Sequence, residues 1–323
     1  VRAVGGEPAV SRALQTSSLP PPTEILAVGK AAASMCAGAL NQLPDGTPAL
    51  VVTKQGHSNN LPERYSQVEL IEAGHPIPDE RSLLAGRRLY ERIRDCDEAS
   101  RLLMLISGGA SALAERLPPG QSLVDWQQKT AALVASGQSI EAINAERSKQ
   151  SLVKSGRLLK AFSGSQVQVL AISDVQGDAI SVIGSGLGDT GYLDCSVTTE
   201  VIATNAIARG AITAAAADQG IEIQQNRETL YQDVFAAATQ MASAIHRGAS
   251  LDVEVLVAGT DGTDGPTSAA GGWLRNASKC DALQLNSALE AADAGTYLAA
   301  NDELFVTGPT DTNVMDLALC LKR

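Results

Sequence analysis

Short apolar runs alternate along this chain with longer amphipathic or Ala-rich stretches, and most of the runs end in a glycine-containing loop. EILAVG (24–29), ALVVT (49–53), RLLMLIS (101–107), VQVLAIS (167–173), EVIAT (200–204) and DVEVLVAG (252–259) read as strands. Between them, AAASMCAGAL (31–40), RSLLAGRRLYERIRD (81–95), SLVDWQQKTAALVAS (122–136), much of 139–162 and AIARGAITAAAADQG (206–220) read as helices. Parallel strands need a crossover connection, and strands covered by helices on both faces become continuous apolar runs. The pattern predicts an α/β fold with a doubly wound, mostly parallel, Rossmann-like sheet in the N-terminal domain, followed by a second, smaller α/β domain. Strands at IEI (221–223) and ELFVTG (303–308) and helices at 231–248 and 313–322 are expected in the second domain. The turn-rich SGLGDTGYLD (185–194) marks the expected boundary, giving domains 1–190 and 191–323.

The chain has 323 residues, 44% apolar but only 3% aromatic, so a sizeable core must be built from small aliphatic side chains. A formal charge of -11 opposes a phosphate backbone, so nucleic acid is not an expected partner. Runs such as LLMLI (102–106) are too short to span a bilayer, and VRAVGGEPAV at the start has no basic region followed by an apolar stretch. Five scattered cysteines without a C-x-x-C pair point to reduced thiols, and three histidines without paired spacing give no zinc pattern. The expected setting is cytoplasmic, with small-molecule partners and no membrane; a homo-oligomer stays open.

In open parallel sheets, ligands bind beyond the carboxyl ends of the strands. There the sequence places Gly29 and Lys30 before a helix of small residues, an anion-favouring arrangement that alone would also suit an ordinary turn. Lys54 and His57 follow the next strand, and His75 lies in the loop AGHPIPD. Either histidine suits a substrate carboxylate or the role of a base, and equally a solvated loop. Ser107, Gly108, Gly109, Ala110 and Ser111 follow LLMLI, exposing successive backbone N–H groups beside two hydroxyls, a nest for phosphate or carboxylate. Asn144, Arg147, Lys149, Lys154 and Arg157 form a basic stretch that reads as a phosphate-contacting or a solvated face. Asp174 with Asp178, and Asp261 with Asp264, are carboxylate doublets in Gly-containing loops, each suited to Mg2+. The last strand leads into TGPTDTN, which carries Asn313. Neither the G-x-x-x-x-G-K-[ST] sequence nor G-x-G-x-x-G after a strand occurs. Cations, hydroxyl and glycine nests and acidic loops are the parts of phosphoryl transfer.

VGKAA (28–32), VVTKQGH (51–57), IEAGHPIPDE (71–80), SGGASAL (107–113), N-x-x-R…K-x-GR (144–157), ISDVQGD (172–178), AGTDGTDGPT (258–267) and TGPTDTNVMDL (307–317) resemble, in this order, the motifs of the glycerate 2-kinase family. The resemblance covers nearly the whole chain and implies a large α/β domain followed by a smaller MOFRL domain. It implies transfer of the γ-phosphoryl of ATP to the 2-hydroxyl of D-glycerate, with Mg2+. By the same resemblance Lys30 stabilises charge on the transferring group, Asp174 or Asp261 organises the metal or accepts the hydroxyl proton, and Arg147 binds carboxylate or phosphate. The sequence departs from the family pattern in two places. The GGE-T-V strand and Arg-containing Gly loop before TDGTDG are absent, leaving Arg247 as a poor substitute, and the stretch after SDVxGD is cut down to IGSGLGDTGYLD (183–194). A binding protein on the same fold and a hydroxypyruvate reductase are the competing readings.

Overall fold

The computed structural model describes residues 1–58, 61, 65, 67–135, 140–228, 253–264, 267–275, 282–291 and 293–322. The chain divides into two compact units, Val1–Ile221 with Asp311–Val314, and Glu222–Thr310 with Met315–Arg323.

In chain order the first unit contains α1 (Gly6–Thr16), β1 (Glu24–Val28), α2 (Ala32–Leu40), β2 (Ala49–Lys54), β3 (Val68–Ala73), α3 (Glu80–Arg94) and β4 (Arg101–Ile106). It continues with α4 (Ala110–Leu113), α5 (Leu123–Ala135), α6 (Ile140–Gln150), β5 (Gln166–Ile172), β6 (Ser196–Ala203) and α7 (Asn205–Asp218). The six strands form one sheet in the order β3-β2-β1-β4-β5-β6, and every neighbouring pair is parallel. The order of progression reverses between β1 and β4, which makes that junction the topological switch point. Val28 pairs with both Val52 and Ile106, so the loops after β1, β2 and β4 leave the sheet at one level.

The four central strands are buried almost throughout, which is why each reads as an unbroken apolar run. Leu26, Val28, Leu50, Val52, Met104 and Val169 share a core with Ala85, Leu89 and Ile93 of α3. α2 packs on β1, β2 and β4. It is buried along its whole length, and small residues make this feasible. A Cβ on Gly38 would lie 2.4 Å from Glu7 O, so Gly38 sets how closely α1 approaches α2. Asp79 begins α3 with a reciprocal cap: its carboxylate accepts Ser82 N–H at 2.9 Å and its N–H donates to Ser82 Oγ at 3.0 Å.

The second unit is the smaller α/β domain that was expected, and its sheet is antiparallel. β7 (Val253–Gly259), β8 (Gly271–Leu274), β9 (Leu304–Phe305) and β10 (Asp316–Lys322) form a sheet in the order β10-β7-β8-β9, with antiparallel pairs throughout. Helices Ala282–Glu290 and Ala294–Ala300 accompany it. The helix expected over 313–322 is a strand instead: Leu317, Leu319 and Leu321 recur at the strand period of two, and Leu319 pairs with Leu256. No strand forms over 221–223, and the helix expected at 231–248 lies outside the described residues. The expected division at 190 also differs from the compact units, because β6 hydrogen-bonds to β5 and carries α7 with it.

At the opposite end of β1 from these loops, Glu24 lies 3.0 Å from Arg92 Nε, without the alignment of a hydrogen bond. Burial pushes the Glu24 carboxyl up to about 7, against the pull of Arg92. The native state therefore retains a proton that the unfolded chain loses near 4.5, and stability falls as pH rises through that window, by up to about 1.4 kcal/mol per pH unit. Urea midpoints at pH 5 and pH 7.5 should show the parent losing more stability than Glu24→Gln. Equal losses would assign the slope to another group.

Candidate active site

Gly29 turns the chain out of β1 at φ +135, and a Cβ there would lie 2.1 Å from Ser107 Oγ and 2.5 Å from Ser107 O. Only glycine permits that approach. The two loops are then laced together. Ser107 N–H donates to Val28 O at 3.0 Å, Lys30 N–H to Gly108 O at 2.9 Å, and Ala31 N–H to Ser107 Oγ at 3.1 Å. Ser107 is fully buried, so its hydroxyl works as a fastener here.

Gly108 and Gly109 carry the chemistry on either side of one stretch of backbone. A Cβ on Gly108 would lie 2.0 Å from Asn313 Nδ2 and 2.2 Å from Asp174 Oδ2. A Cβ on Gly109, at φ +87, would lie 3.1 Å from Lys30 Cγ and 3.3 Å from His75 Nε2. The Gly-Gly backbone thus runs between a carboxylate and a cation. Asn313 Nδ2 donates to Asp174 Oδ2 at 3.1 Å, which fixes the carboxylate's orientation. Asn313 reaches it because Asp311–Val314 is anchored within the first unit. Gly6 N–H donates to Asp311 O at 3.0 Å, Thr312 Oγ1 to Val4 O at 2.5 Å, and Asn205 Nδ2 to Val314 O at 3.0 Å.

The remaining candidates are dispersed. Ser111 accepts from Ser185 Oγ at 2.8 Å; Ser185 holds a left-handed backbone at φ 58 and was not among the expected site residues. Ala110 opens α4, a single turn, so any anion attraction there comes from local N–H groups more than from a helix dipole. Lys54 and His57 form a turn after β2, where Glu72 Oε1 accepts from Gly56 N–H at 3.1 Å. Asp178 follows Gly177, and both are left-handed, at φ 54 and 77. Arg147 sits in a different cluster, buried with Lys154 and Glu115, whereas Lys149 is exposed. Thus the basic stretch is split between core and solvent.

Asp261 and Asp264 belong to the second unit. Asp261 is buried and accepts Thr263 N–H at 3.0 Å, and Asp264 N–H donates to Ala269 O at 2.7 Å. Gly262 lets this loop press against Gly308, since a Cβ would lie 1.9 Å from Gly308 O. Among the described residues no three His, Cys, Asp or Glu side chains group to hold a metal ion. That donor set does not build a protein cage, but one carboxylate at a strand end suits Mg2+ that arrives on phosphates and keeps its waters.

Gly108→Ala should lower kcat/KM at least about 100-fold, because the methyl group displaces Asp174 and Asn313 by an ångström or more. The check is steady-state kinetics on protein shown to be folded by circular dichroism. Near-normal turnover would mean that the carboxylate does not act from this position.

Residues 1–209 match the family described as Domain of unknown function (DUF4147), and residues 231–316 match the MOFRL family. A Thermotoga maritima protein named D-glycerate 2-kinase is 30% identical, covering 92% of this chain and 90% of its own. That alignment runs to 380 positions, more than the 323 residues here, so part of the relative lies opposite gaps in this chain. An Agrobacterium vitis protein provisionally named a hydroxypyruvate reductase is 28% identical over 92% of this chain and 98% of its own. The crystal structure of Thermotoga maritima glycerate kinase superposes with a TM-score of 0.76 at 28% identity, over 99% of this chain and 96% of that one. With the Gly29–Ser107 junction, the SGG loop and the two matched regions in place, the chain belongs to the glycerate 2-kinase family.

Proposed function

We propose that this protein transfers the γ-phosphoryl group of ATP to the 2-hydroxyl of D-glycerate, giving 2-phosphoglycerate and ADP, with MgATP as substrate. The observation that carries the reading is the Gly-Gly backbone at the switch point, flanked by Asp174 on one side and Lys30 on the other. Phosphoryl transfer needs positioning and charge stabilisation more than covalent help. The N–H groups of Gly108 and Gly109 receive phosphate oxygens, and Lys30 neutralises charge that builds on the transferring group. Asp174, held by Asn313, accepts the hydroxyl proton or meets the magnesium ion that the nucleotide brings. As the hydroxyl oxygen bonds to phosphorus, the bond to the β-phosphate oxygen breaks and ADP leaves. His75 borders the same loop and orients the hydroxy acid. Lys54 and His57 line the acceptor side.

The test is ADP release from MgATP with D-glycerate, with the product's phosphate position read by NMR. Lys30→Ala should cost about 10²- to 10³-fold in kcat. Oxidation of NADH by hydroxypyruvate, with no ADP release, would instead favour the reductase name that one relative carries. Nucleotide binding without turnover would favour a non-catalytic member of the family.

A further inference from the structure

A few residues beyond the 107–111 loop, Glu115 joins a buried charged cluster to which the proposed reaction has so far assigned no role. Glu115, Ser151 and Lys154 are wholly buried, Arg147 is 8% exposed, and Trp126 is 2% exposed. Lys154 Nζ pairs with Glu115 Oε2, and Ser151 Oγ donates to Glu115 Oε1. Lys154 Nζ also lies 5.5 Å from the centre of the Trp126 ring. The Lys154–Glu115 pair is neutral as a unit, whichever partner holds the proton. The guanidinium of Arg147 is always protonated, so its charge remains over. Burial pulls its pKa down while Glu115 opposes that, which marks a cation held at a cost.

Arg147 Nε and Nη2 are both buried and have no hydrogen-bond acceptor among the described residues. These two atoms form one edge of the guanidinium, with parallel N–H bonds at the spacing of a carboxylate's two oxygens. Trp126 Nε1 is likewise buried without an acceptor, as is Thr130 Oγ1 one turn further along α5. Buried donors are rarely left without acceptors, so the Arg147 edge calls for an oxyanion. One excess positive charge is matched by a monoanion, which favours a carboxylate over a phosphate dianion.

We infer that Arg147, backed by the Lys154–Glu115 pair and Trp126, is a seat for the carboxylate of a small organic acid. The acid's identity as D-glycerate rests on the kinase reading; the seat itself does not. The seat is joined to the anion loop by the chain. Glu115 follows α4, and Lys154 precedes Ser155, whose N–H donates to Ser185 O at 2.9 Å while Ser185 Oγ donates to Ser111. A filled seat would therefore bear on the loop that holds the phosphates.

Trp126 offers a direct readout, because the chain has two tryptophans and Trp273→Phe leaves Trp126 alone. D-Glycerate should change Trp126 emission saturably, and glycerol, which lacks the carboxylate, should not. Arg147→Met should abolish the change and raise KM for D-glycerate about 30-fold or more, with KM for ATP within about threefold. Arg147→Lys keeps the charge with a single donor group and should recover part of both effects. It also serves as the test variant if the methionine protein does not fold. Unchanged KM for D-glycerate in a folded variant would overturn the seat. So would inorganic phosphate that perturbs Trp126 as strongly as D-glycerate does. Saturable, Arg147-dependent fluorescence without ADP release would keep the seat and remove the kinase reading. Turnover with an unchanged KM would do the reverse.

Discussion

The close pass of Gly29 against Ser107 is the contact on which the rest of the first unit's site depends. β1 and β4 are neighbours in the sheet, yet they lead to different layers: α2 packs on β1, β2 and β4, whereas α4 contacts α3. Their loops must touch and then part within a few residues. Touching requires that no side chain stand at position 29, and parting requires that something pin the crossing point. Ser107 pins it, with its N–H on Val28 O and its Oγ accepting from Ala31 N–H. Because the pin is buried and fully used, the next residues, Gly108 and Gly109, are left to face the ligand side. Lys30 is brought to them by the same lacing, through its N–H on Gly108 O.

The carboxylate on the other side is set by a segment far away in sequence. Asp174 and Asn313 are 139 residues apart, and the hydrogen bond between them exists because Asp311–Val314 returns to the first unit. The backbone is left-handed at Asp311 (φ 63) and Met315 (φ 66), neither of them glycine, at a cost of roughly 1–3 kcal/mol each. Three anchoring hydrogen bonds to residues 4, 6 and 205 offset this. The TGPTDTN motif is thus explained as a bracket: its threonine and asparagine side chains hold the return and orient the acid.

Legibility in the sequence followed burial. β1, β2, β4 and β5 are covered on both faces, so their apolar runs stood out. β3 escaped notice because VELIEA is an edge strand whose glutamates break the run, and its half-exposed pattern matches neither template cleanly. DLALCLK has a helical composition, yet its leucines alternate, and pairing with β7 settled the matter against propensity. The boundary placed in the turns at 185–194 failed for the same kind of reason, since local turn chemistry says nothing about β6 joining a distant strand. Among site residues, the glycine loops were legible because the need for a missing side chain is itself a sequence signal. Arg147 and Lys154 were visible as cations, but their burial was not, because their partner Glu115 lies more than thirty positions earlier with no motif around it.

That buried cluster is hard to explain as scaffolding. A buried ion pair is often no better for stability than apolar residues of the same volume, although removing one partner costs about 3–5 kcal/mol. Lys154 and Glu115 therefore require one another, while stability does not require the pair as a whole. Arg147 is worse placed still, since its buried Nε and Nη2 groups find no acceptor among the described residues and the desolvation goes uncompensated. A core under selection for stability alone would lose that arginine to a methionine or leucine of similar length. Its position beside a neutral pair, with one edge unsatisfied, is the arrangement expected of a binding group that is preorganised at some cost to the fold. α4 leads from Gly109 to Glu115, the residue that pairs with Lys154 beside Arg147, so the loop that takes phosphate oxygens and the proposed fixed point for the acceptor are coupled through one short helix and one buried ion pair.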